Sequence, residues 1–104
     1  MASGDRVVRR GRCSGPSTWK LDVRRESGSR LRVQLEIQGG RAGQSWHVFI
    51  SDDGARIFAG SRTSGAGGLV EVRVGTTDRP GADAIKAAAN NQVTRETCAG
   101  RATL

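Results

Sequence analysis

The sequence predicts a small all-β sandwich, on three observations. Apolar and polar side chains alternate, turn-forming residues recur roughly every 8–12 positions, and the two cysteines lie near opposite ends of the chain. At 104 residues and 11.0 kDa there is room for one core, and a chain of this length buries only about 60–70% of the surface it exposes when unfolded. One sandwich spanning 1–104 is therefore expected, with 1–4 as disordered or added N-terminal residues. Aromatics are 4% of the chain, so Val, Leu, Ile and Ala must fill most of the core.

Trp19, Leu21 and Val23 fall on one face of a strand, with Lys20, Asp22 and Arg24 on the other. After Ser27-Gly28-Ser29 the pattern returns, with Leu31, Val33, Leu35 and Ile37 inward and Arg32, Gln34 and Glu36 outward. Two half-buried strands joined by a glycine-bearing three-residue loop make a β-hairpin. Its register sets Trp19 opposite Ile37, Leu21 opposite Leu35, Val23 opposite Val33, Lys20 opposite Glu36 and Arg24 opposite Arg32. Gly39–Gly43 breaks the chain, and 45–51 is the next strand, with Trp46, Val48 and Ile50 inward. Asp52-Asp53-Gly54 is turn chemistry. A weaker strand covers 56–63, where adjacent Ile57 and Phe58 invite a bulge.

A second glycine-rich turn at 64–68 precedes Val70, Val72 and Val74, which alternate with Glu71 and Arg73. The alanine-rich stretch 82–90 favours helix locally, yet Ile85, Ala87 and Ala89 also share one face of a strand. We read it as strand, with tertiary context outweighing propensity. The last strand covers 96–102 and carries Cys98. Strands of this length and spacing make a sandwich or a barrel.

All but Lys20 and Lys86 of the 17 basic residues are arginine, and the net charge is +7. The arginine, glycine and alanine bias is compatible with GC-rich coding, and also with attraction to a polyanion. No run approaches the ~18 apolar residues of a membrane span. The N-terminus lacks the apolar segment of a signal peptide, so for an exported protein a leader has been removed and Met1 is an added residue.

The segments Cys13-Ser14-Gly15, Ser17-Thr18-Trp19-Lys20-Leu21, Ala42-Gly43-Gln44-Ser45-Trp46, Phe58–Thr63 and Glu96-Thr97-Cys98 resemble small exported domains of uncharacterised proteins from high-GC Gram-positive bacteria. The resemblance covers nearly the whole chain. It implies an immunoglobulin-like antiparallel β-sandwich of about seven to eight strands with a conventional disulfide, in a secreted or cell-envelope protein. It carries over no functional residue.

Cys13 and Cys98 are read as a structural disulfide stapling the first strand to the last. The single histidine offers no metal-ligand spacing and no CxxC is present. Both tryptophans point inward, with one expected against the cystine. His47 and Phe49 share the outer face of their strand and, with Arg24 and Arg32, form the candidate binding face. Arg41 in the 39–43 loop and Arg79 before Pro80 are candidate loop contacts. No catalytic set and no cofactor motif is present. Asp52 and Asp53 fall short of the six to eight oxygens calcium takes, so no metal site is expected. The expected function is a non-enzymatic binding or structural module, contacting a protein or an anionic cell-envelope polymer. Sequence-specific nucleic-acid reading lacks both stacking aromatics and a recognition helix. The alternative is a secreted inhibitor or toxin-like effector acting through a loop.

Overall fold

A computed structural model describes residues 5–78 and 81–104; the expectations for residues 1–4 and for Arg79 lie outside the described residues. The chain forms β1 (Arg6–Arg12), β2 (Thr18–Glu26), β3 (Arg30–Gln38), β4 (Ser45–Asp52), β5 (Ala55–Thr63), a one-turn 3-10 helix at Ala66–Gly68, β6 (Val70–Thr77), β7 (Ala84–Asn91) and β8 (Thr97–Thr103). The strands make two four-stranded antiparallel sheets, ordered β1-β2-β3-β6 and β5-β4-β7-β8. The chain crosses between sheets after β3, after β5 and after β6, and closes with the β7–β8 hairpin. This Greek-key path, with β3 and β6 paired in one sheet and β4 and β7 in the other, is immunoglobulin-like, and β1 is an added edge strand.

The period-two code places the core as expected. Leu21, Val23, Val33, Leu35 and Ile37 face Trp46, Val48, Ile50, Ile85, Ala87 and Ala89 across the sandwich, all buried. The β2–β3 register is the one the alternation and loop length require, Trp19 opposite Ile37 through Arg24 opposite Arg32. Residues 84–91 form a strand, because Ile85, Ala87 and Ala89 are needed in the core and β7 pairs on both sides. Asp53 and Gly54 both take positive φ (49° and 86°), the backbone of a two-residue hairpin turn whose twist suits its strands. The β4–β5 register then shifts between Ile50 and Ser51. The bulge lets Ile57 and Phe58 both pack partly against the core.

One flank of the sandwich has its own closure. Strands β1 and β2 lie against β8, and the Cys13–Cys98 disulfide joins them. The bridge spans the two sheets, but it ties the added strand's exit to the last strand rather than linking two central strands. The residues around it brace this closure. The Glu96 carboxylate accepts hydrogen bonds from the backbone N–H of Gly15 and Ser17 and from the Ser17 hydroxyl. Ser14 exchanges hydrogen bonds with the Thr97 backbone. Trp46 is fully buried. Trp19 is half-buried and packs between Gly11 of β1 and Gly100 of β8, where a Cβ on either glycine would fall 2.6 Å from the indole.

Two outcomes follow. Replacing both cysteines by alanine frees an 85-residue separation in the unfolded chain, and denaturant melts should show a loss of up to about 4–5 kcal/mol. Gly100→Ala should cost about 1–3 kcal/mol by overpacking the indole, and Gly100→Ala combined with Trp19→Leu should recover part of that loss.

Candidate functional site

The residues singled out in the sequence do not form one surface. Arg24 and Arg32 are opposite each other on the outer face of the first sheet, where Arg32 Nε lies 3.1 Å from Glu26. His47 and Phe49 are on the outer face of the second sheet, their rings edge to face at 6.5 Å. The two pairs therefore lie on opposite sides of the sandwich, because β3 and β4 belong to different sheets. The four-residue face is corrected to two separate patches. Arg41 is exposed in a loop braced by hydrogen bonds of its own carbonyl, Gly43 and Gln44 to Ser64.

A concave basin of about 600 Å³ lies on the outer face of the second sheet, where β1 approaches β8. Its geometry follows from strand register. Phe49, Ala88 and Ala99 are directly opposite one another across β4, β7 and β8, forming an apolar row. The parallel row is Arg56, Ser51, Lys86 and Arg101, spanning all four strands. Strand spacing puts its two ends about 14 Å apart at the backbone. Gly100 and the Trp19 indole extend the floor toward β1. Arg9 and Arg10 of β1 complete the rim from the other sheet. Arg9 has the inward parity of Val7 and Gly11, opposite Leu21; because β1 is an edge strand flanking β8, that side chain meets the basin instead of the core.

Five cations thus surround short apolar side chains, and the lining contains no carboxylate, histidine or cysteine. The described ion pairs of the protein use Arg6, Arg25, Arg32 and Arg73; the basin's five cations make none among the described residues. Arg56 places its guanidinium carbon 4.9 Å from the Phe49 ring centroid, a cation–π contact that holds the arginine over one wall. Lys86 and Arg101 sit directly opposite each other, a like-charge pairing that costs stability unless an anion screens it. Arg56, Lys86 and Arg101 are not among the residues that sequence reasoning singled out. Their outward parity was readable; their adjacency depends on the sheet crossings.

A second cluster closes one end of the sandwich. Asp52 and Asp83 have the inward parity of Ile50 and Ile85 and are buried, and with Asp53 they bring carboxylate oxygens within 4.8 Å of one another. The sequence reading stopped at Asp52 and Asp53; Asp83 joins them from the far side of a crossover. Asp53 also accepts a hydrogen bond from the Ala84 N–H, and Asp78 from Arg25 Nε. Burial pushes the Asp83 carboxyl up to about 7, reinforced by hydrogen bonds to Asp78 and Asp52 and by their charges. A group held protonated in this way limits repulsion inside the cluster.

No family model and no curated protein matches the sequence. Among solved structures, the crystal structure of the GAE domain of GGA2p from Saccharomyces cerevisiae is similar, with 11% identity over 94% of each chain and a TM-score of 0.46.

The acidic end sets a pH dependence. The Asp83 carboxyl titrates near 3.8 when unfolded and near 7 when folded, so its contribution is complete below the lower value and is lost as pH rises through the upper one. The thermal midpoint should fall as pH rises from about 4 to about 7, the interval between those two values. In Asp83→Asn that slope should flatten, whatever the absolute stability of the variant.

Proposed function

We propose that this chain is a non-enzymatic binding module that takes an anionic partner at the basin on its second sheet. The carrying observation is the set of five cations around an apolar floor with no carboxylate among the lining residues. Four of the five are arginines, whose planar forks suit carboxylate or phosphate oxygens in bidentate geometry. A non-enzymatic reading is supported by His47, the single histidine, lying outside that lining with an aromatic neighbour. Location in an oxidising compartment, secreted or at the cell envelope, is supported by the inter-sheet disulfide.

The first patch, Arg24 and Arg32, is a poorer anion site, since Glu26 lies against Arg32 and Asp22 takes Arg6. The two faces can be compared directly by titrating the oxidised protein with poly(glycerol phosphate), a soluble stand-in for an anionic envelope polymer. Lys86→Glu with Arg101→Glu should weaken binding at least tenfold at low salt and remove most of its salt dependence. Arg24→Glu with Arg32→Glu should leave it within about twofold. Equal losses in both variants would mean the attraction is general, and the basin would have no special part.

A further inference from the structure

We infer that the basin's occupant is a single anionic amphiphile, a phosphate or carboxylate head on an alkyl or aryl body; this rests on the reading of the basin as an anion site. Charge alone would explain a cationic row. It does not explain why the adjoining row is Phe49, Ala88 and Ala99, continued by Gly100 and the Trp19 indole. The two rows run side by side across the same strands, and successive outward residues along a strand are only about 7 Å apart. A ligand lying in the basin therefore meets cations along one side and carbon along the other.

The relief of the surface separates a lone amphiphile from a bilayer. Surfaces that dock on membranes push apolar side chains beyond their charges so that these enter the acyl region. Here the order is reversed. Ala88, Ala99 and Gly100 carry a methyl group or less, while Arg9, Arg10, Arg56, Lys86 and Arg101, which share the lining, carry the longest side chains there. By length alone, the cations therefore reach further out than the carbon floor. Headgroups of an intact bilayer would reach the arginines, but their chains could not reach the floor. A molecule free to lie flat can satisfy both. The volume, about 600 Å³, falls within the range of small-ligand sites. The head would sit between Lys86 and Arg101, whose facing charges it would relieve. The body would run over the alanine row between the Phe49 ring and Trp19.

An alkyl phosphate series from butyl to dodecyl, each below its micelle-forming concentration, tests this by calorimetry and by Trp19 emission. Affinity should rise by up to about fourfold per added methylene, the limit for full burial, until the chain outgrows the floor. Ala88→Leu with Ala99→Leu, both at exposed positions, should flatten that rise while keeping poly(glycerol phosphate) binding, which separates the apolar floor from the charged rim. An affinity independent of chain length, with polymer binding intact, would overturn the amphiphile and leave the anion site standing. A flat series accompanied by tight binding to phosphatidylglycerol vesicles would also overturn it, in favour of a membrane surface. Failure of every anion to bind would remove both readings.

Discussion

The packing of β1 against β8 is the constraint on which both the stability and the surface of this protein depend. A sandwich of eight short strands with few aromatic residues has an open flank wherever two sheet edges diverge. Here the flank is filled by the Trp19 indole, admitted because Gly11 and Gly100 leave room for it, and held shut by the cystine. The same closure draws the first strand beside the last and delivers Arg9 and Arg10 to the rim of the basin. Core completion and site formation are therefore one event. The glycines that admit the indole and the cysteines that lock it are as much a part of the site as the arginines that line it.

Local structure was legible in the sequence to the level of individual pairings. The β2–β3 register followed from alternation and a three-residue loop, because a one-residue slip would turn every core side chain to solvent. The strand at 84–91 was legible for a related reason: alternate residues Ile85, Ala87 and Ala89 suit a buried face, whatever the helix propensity of alanine. What could not be read was which strands share a sheet. Alternation specifies in or out, and it is silent about the sheet to which the outward face belongs. Arg24 and His47 have equally clear outward parity, yet the crossover between β3 and β4 puts them on opposite sides of the molecule. The same blindness hid Lys86 and Arg101 from Arg56, and Asp83 from Asp52.

The two charged clusters illustrate opposite solutions to crowding. At the acidic end, burial favours the neutral form of Asp83, so protonation limits repulsion among carboxylates. Around the basin, arginine does not give up its proton at any accessible pH, and relief must come from solvent spreading or from a bound anion. A buried acid can be quiet on its own; a ring of exposed guanidinium groups keeps its field.

The alanines at 88 and 99 have a further consequence. A surface made of lysine, leucine or glutamine must freeze several torsions when something settles on it, and each frozen side chain subtracts from the gain. Alanine has no such freedom to lose. The alanine part of the floor has no rotamer to fix when a partner arrives, so contact made there is not discounted by side-chain ordering.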